Sequence, residues 1–193
     1  MSRAATDLLL FARSLMAAPT AVAAISPSSR WLARAMAAGL GPHTGAVVEF
    51  GPGTGQLTQG LLEAGVATTD LTLFELDAGF TRLLRRRFAD VTVHQACAQD
   101  ALRHLPAGQA GAVVSGLPLL SLPTPVVEAV LHTAFTLLRP GGEMRQFTYG
   151  PRPPIAPGTL QRLGLVATPL RQVWANLPPA RVYGLRRRQD GVS

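Results

Sequence analysis

One stretch of nine residues, Val47-Val48-Glu49-Phe50-Gly51-Pro52-Gly53-Thr54-Gly55, constrains this chain more than any other. A short apolar, β-branched run ends in three glycines spaced two apart. A helix-compatible segment, Gln56–Ala64, follows at once, with Gly65 placed to cap it. Glycine lets the backbone turn sharply and come close to a ligand. A strand, a glycine turn and a helix in that order form the first unit of a parallel sheet, whose ligands meet the carboxyl ends of the strands.

The rest of the chain repeats the alternation. Apolar runs at Leu71–Leu76, Val91–His94, Ala112–Ser115 and Glu143–Tyr149 are separated by helical stretches at Gly79–Phe88 and Pro125–Leu138, the latter stopped by Arg139-Pro140-Gly141-Gly142. After a short helix at Leu160–Leu163, Val166–Trp174 and Arg181–Arg186 read as an antiparallel pair turned at Asn176–Pro179. This pattern predicts an α/β fold: a Rossmann-like doubly wound sheet of seven strands, one of them reversed. The 193 residues fit one domain, and 47% apolar content supplies its core. Two helices precede the sheet. Leu8, Leu9, Ala12, Leu15 and Met16 share one face of the first, and the second starts after Ser26-Pro27-Ser28-Ser29 and runs to about Ala38. Residues 1–40 therefore read as a helical preface and 41–193 as the sheet domain.

Eighteen basic against eleven acidic residues give a formal charge of +7, and every basic residue is arginine. Such a surface favours anionic partners without choosing among nucleic acid, acidic lipid and phosphate esters. The single cysteine, Cys97, excludes an internal disulfide and a multi-cysteine zinc site, so no metal is expected. Asp7 and Arg13 interrupt the N-terminal apolar stretch, which argues against a secretory signal, and no run is long enough to span a bilayer. A cytosolic protein, free or at a membrane surface, is the expectation.

The second strand ends in Glu75, followed by Leu76, about twenty residues past the glycines, where an acidic side chain can accept from both hydroxyls of a ribose. The third glycine arrives one residue too early for the dinucleotide pattern. Glu49-x-Gly51-x-Gly53-x-Gly55 instead resembles the class I methyltransferases. That resemblance implies S-adenosylmethionine as cofactor, with S-adenosylhomocysteine as product. Its ribose and methionine parts would be held by Glu49, Gly51, Pro52, Gly53, Thr54, Gly55, Glu75 and Leu76, with Ser115 beside them and Asp100 at the adenine edge. Asp100 reads equally as a solvated or helix-capping residue.

The fourth strand ends in Ser115-Gly116-Leu117-Pro118-Leu119. In adenine methyltransferases the equivalent segment carries an asparagine and an aromatic residue. Here the proline is kept, the aromatic is Leu119, and Ser or Gly stands at the asparagine, so stacking on a base is lost. Ser115–Leu122, Gln146–Pro151, Val173–Tyr183 and Ala24–Arg30 together look like the bacterial phospholipid N-methyltransferases, a likeness covering roughly residues 5–188. It implies transfer of up to three methyl groups to phosphatidylethanolamine, towards phosphatidylcholine, by a protein peripheral to the inner face of the cell membrane.

On that reading Ser115, Gly116, Leu117, Pro118 and Tyr149 surround the amine, in a reaction that is mainly positioning. Tyr149, Asp100 and His132 are candidates to take a proton, with His132 the more ordinary helix residue. The lipid phosphate calls for Arg152 and Tyr149 first, then Arg181 and Tyr183, with Ser28, Ser29 and Arg30 as a lid. The first helix, aided by Arg85–Arg87 or Arg186–Arg188, would meet an anionic surface. The rival reading is nucleic-acid adenine methylation. Against it stand the missing aromatic and the expected lack of the helical domain that rRNA adenine dimethylases append. A binding protein without turnover and a small-molecule amine methyltransferase are further alternatives.

Overall fold

The computed structural model describes residues 27–149, 153–176 and 178–188. Helices are α1 (Pro27–Ala37), α2 (Gln56–Glu63), α3 (Ala78–Arg87), α4 (Thr124–Leu137) and α5 (Pro157–Arg162). Strands are β1 (Val47–Phe50), β2 (Leu71–Glu75), β3 (Thr92–Gln95), β4 (Ala110–Ser115), β5 (Leu138–Tyr149), β6 (Leu165–Val173) and β7 (Ala180–Arg187). They form one sheet in the order β3-β2-β1-β4-β5-β7-β6, in which β7 alone runs antiparallel to its neighbours. The expected doubly wound sheet with one reversed strand is what the chain forms.

Both faces of the sheet are covered, which is why β1 is buried at all four positions. Val127, Val130, Leu131, Ala134 and Phe135 make one stripe of α4 and pack with Val48, Phe50, Val113 and Met144. The opposite face packs α1 and α2 on Val47, Leu73, Ala112 and Val182. The two helices touch closely, because a Cβ on Gly60 would lie 2.8 Å from the Ala33 Cβ and 2.9 Å from the Ala33 carbonyl oxygen. Arg145 fixes the end of α1. Its Nη1 donates to the carbonyls of Met36 (2.8 Å) and Ala38 (2.7 Å), and its Nε to Glu143 (2.9 Å).

The structure alters several local expectations. Arg139–Gly142 does not form a separate turn. The chain passes directly from α4 into β5, pairs Leu138 with Ala110, then shifts register before Ala112 meets Glu143. The segment after β3, where Asp100 reads equally as solvated or helix-capping, coils into a 3-10 helix, Ala98–Arg103, with Ala98 and Ala101 buried. The first amphipathic helix, the Ser26 cap and Arg152 lie outside the described residues. Among the described residues no helix is long and apolar enough to cross a membrane.

Candidate functional site

The carboxyl ends of β1, β2 and β4 meet around the glycine turn. Gly51 takes φ 65°, and a Cβ there would stand 2.7 Å from Leu117 Cδ2. Across the turn a Cβ on Gly116 would lie 2.5 Å from the Gly51 carbonyl oxygen, so the β1 and β4 exits touch backbone to backbone. Gly55, at φ 83°, starts α2 against Phe88. Pro52 is buried beneath the turn, and the Thr54 carbonyl accepts from Arg87 Nη1 (2.8 Å).

Two carboxyl groups frame this turn. Glu49 is fully buried and accepts from Thr58 Oγ1 at 2.7 Å through Oε2, while Oε1 has no partner among the described residues. Removal from water pushes its pKa up to about 8, helped by the charge of Glu75 and only partly offset by Thr58. Glu75 Oε2 accepts from the Gly53 N–H (3.0 Å) and Oε1 from the Asp77 N–H (2.8 Å). Burial raises its pKa too, against those backbone donors. Beside Glu75 a cavity opens between Gly51, Leu76, the segment 96–99, Leu117 and Pro118. An orphan buried acidic oxygen, an acidic side chain closing a strand and an apolar slot beside it fit an adenosine compound with a cationic tail.

Asp100 is not part of that cavity wall, where Gln99 stands instead. Its carboxylate lies 3.8 Å from Arg103 Nη1 on the same 3-10 helix. Ser115 is buried and accepts from the Leu117 N–H (3.3 Å). Register places Ser115 beside Gln146 on β5, and Gln146 beside Tyr183 on β7. Two residues nearer the carboxyl edge, Thr148 faces Arg181, whose Nε donates to Gln172 Oε1 (2.7 Å). Alternation along β5 puts Tyr149 on the opposite face, with its ring against Phe147 at 5.3 Å. Tyr149 and Tyr183, grouped together from the sequence, are therefore divided by the sheet. Arg30 is exposed on α1, and the side chains of Ser28 and Ser29 lie outside the described residues.

The two arginine runs part company as well. Arg87 reaches the glycine turn and Arg85 Nη2 donates to the Val93 carbonyl (2.9 Å). Arg186–Arg188 sit at the amino edge of the parallel strands, beside Leu138 and Leu165. That edge is opposite the glycine turn, so this run and the crevice cannot rest on one flat surface together. The residues that sequence reasoning passed over are Thr58 and Gln146. The only sequence signal for either was Gln146's place in the Gln146–Pro151 segment.

Residues 47–142 match the family model described as a methyltransferase domain. An ornithine lipid N-methyltransferase of Singulisphaera acidiphila is 33% identical over 153 residues, spanning 75% of this chain and 79% of its own length. A ribosomal RNA small subunit methyltransferase A of a Synechococcus strain is 39% identical over 101 residues, which are 52% of this chain and 33% of that protein. Among solved structures, Burkholderia thailandensis 1,6-didemethyltoxoflavin-N1-methyltransferase, with bound 1,6-didemethyltoxoflavin and S-adenosylhomocysteine, superposes with a TM-score of 0.71 at 15% identity. The match covers 98% of this chain and 92% of that one, a likeness of fold.

Proposed function

Because this chain belongs to the class I S-adenosylmethionine-dependent methyltransferases, we propose that it moves methyl groups from that cofactor to the amine of a membrane phospholipid, phosphatidylethanolamine and its methylated forms. The observation that carries the lipid reading is the carboxyl edge of the parallel strands, the edge on which the glycine turn also lies. Leu120, Tyr149 and Trp174, at the carboxyl ends of β4, β5 and β6, are 51%, 49% and 77% exposed. Large apolar and aromatic side chains exposed along one edge suit a membrane interface. Leu119, where an adenine-specific site needs a stacking ring, is buried and aliphatic. The relative from Singulisphaera acidiphila, named for N-methylation of ornithine lipid, supports a lipid amine as the acceptor.

S-adenosylmethionine, when bound, supplies the methyl group on a sulfonium that needs no further activation. Glu49, the turn Gly51-Pro52-Gly53-Thr54-Gly55, Glu75 and Leu76 would hold it, with residues 96–99 towards the adenine end, where Gln99 takes the place expected of Asp100. Ser115, Gly116, Leu117 and Pro118 line the approach of the amine. Tyr149 stands at the carboxyl end of β5, on the same edge of the sheet. Burial raises its phenol further, so at neutral pH it donates a hydrogen bond and takes no proton. Arg181 and Tyr183, with Arg30, Arg152, Ser28 and Ser29, are the proposed partners of the lipid phosphate.

One observation favours a second reading, methylation of ribosomal RNA: the 39% identity with the Synechococcus enzyme, on a chain of net charge +7. Expression in a bacterial host that makes no N-methylated lipid separates the two. Mono-, di- or trimethylated phosphatidylethanolamine in the lipid extract is the expected result. Unchanged lipids with newly methylated adenines in rRNA would replace this reading with the second.

A further inference from the structure

Gln146 is a polar side chain enclosed within the sheet. It is 1% exposed on β5, in register with Ser115 on one side and Tyr183 on the other. Its amide orientation is fixed. Nε2 donates to the carbonyl of Leu117 (2.9 Å) and to that of Phe147 (2.9 Å), and only the nitrogen end of an amide can serve two carbonyls. Oε1 on the same carbon is buried and has no hydrogen-bond partner among the described residues. A buried acceptor left unpaired is costly and uncommon. Leu117, to which the amide is tied, forms part of the cavity wall beside Glu75. The orphan oxygen is carried on the amide that holds the Leu117 carbonyl, at the exit of β4 beside that cavity.

Ser115 Oγ is engaged by the Leu117 N–H, and Gly116 has no room for a side chain against the Gly51 carbonyl. We propose that Gln146 Oε1 accepts an N–H of the substrate amine and aims its lone pair at the methyl group. This inference rests on the amine substrate proposed above. In the reaction the nitrogen lone pair forms the new N–C bond, and the methyl–sulfur bond breaks with its electron pair left on sulfur. The product ammonium then loses a proton to water. Gln146 stays neutral and exchanges no proton.

The consequence follows from counting N–H groups. A primary or monomethylated amine has an N–H to give Oε1 while it attacks. A dimethylated amine in its reactive neutral form has none, and a trimethylated head group has none at all. The experiment compares the wild type with Gln146→Met and Gln146→Asn. It reads kcat/KM for phosphatidylethanolamine vesicles, the inhibition constant of phosphatidylcholine and the Kd for S-adenosylmethionine.

Losing one hydrogen bond at the reacting centre is expected to lower kcat/KM for phosphatidylethanolamine about tenfold or more in the Met variant, with a smaller loss in the Asn variant. The cofactor Kd and the phosphatidylcholine constant should stay within about twofold in both variants, since neither ligand offers the N–H that Oε1 accepts. Equal losses in all three quantities would overturn the proposal, because they would mean that Gln146 merely braces the Leu117 loop. Unchanged turnover of phosphatidylethanolamine would overturn it too. If Gln146→Met does not fold, Gln146→Asn is read by the same rule. A wild type that binds the cofactor and methylates no amine lipid would overturn the lipid reading, and this inference with it.

Discussion

Thr58 Oγ1 donates a 2.7 Å hydrogen bond to one oxygen of the fully buried Glu49, and nothing in the described structure meets the other. Burial holds the Glu49 pKa near 8 against an ordinary 4.5. The protonated form is thus favoured by the fold, so this contribution to stability is complete below the unfolded value. It is lost as pH rises through about 8. Glu75, raised for the same reason, acts in the same direction. Urea unfolding of the cofactor-free protein should show stability falling between pH 5 and about 8, and Glu49→Gln should flatten that slope.

The same group links protons to the cofactor. A cationic ligand beside Glu49 selects the carboxylate, so binding near pH 7 should release up to about one proton. Calorimetry in two buffers of different ionisation enthalpy reads this directly. Glu49→Gln should abolish the release and weaken binding by about tenfold or more, the loss of a charge-assisted contact.

Gly116 and Gly51 touch where their strands leave the sheet. Gly116→Ala would force a Cβ to within 2.5 Å of the Gly51 carbonyl oxygen. Prising the two turns apart should cost about 1–3 kcal/mol of stability and weaken cofactor binding in the same variant. Urea midpoints and a cofactor titration test both halves together. Preserved affinity would contradict the close approach.

Arg145 joins Glu143 to the end of α1 in a largely buried cluster. Glu143 also accepts from Arg186 Nε (2.9 Å), so it is not left alone when Arg145 is removed. Arg145→Met should still destabilise the fold by about 3 kcal/mol, since two α1 carbonyls and half of Glu143 lose their donor. Hydrogen exchange should show α1 opening first. Uniform protection of α1 in the variant would contradict its attachment through this side chain.

Much of the sheet was legible because it depends on local chemistry. The glycines after β1, the acidic end of β2 and the apolar runs each carry their reason within a few residues. The exceptions depend on contacts distant in sequence. Gln146 lies in an ordinary strand segment and becomes notable only when Leu117, 29 positions away, takes its amide. Thr58 is one polar residue on a helix until Glu49 is seen to face it. The division of Tyr149 from Tyr183 follows from β7 pairing with β5, which no local pattern states. Gly116 looked like part of a motif, whereas the Gly51 carbonyl explains why no side chain stands there.

Methyl transfer from labelled S-adenosylmethionine by the purified protein tests the central claim most directly, with phosphatidylethanolamine vesicles and ribosomal RNA offered side by side. Label is expected in the lipid, distributed over its methylated forms, and none in the RNA. Label in the RNA with the lipid untouched would contradict it.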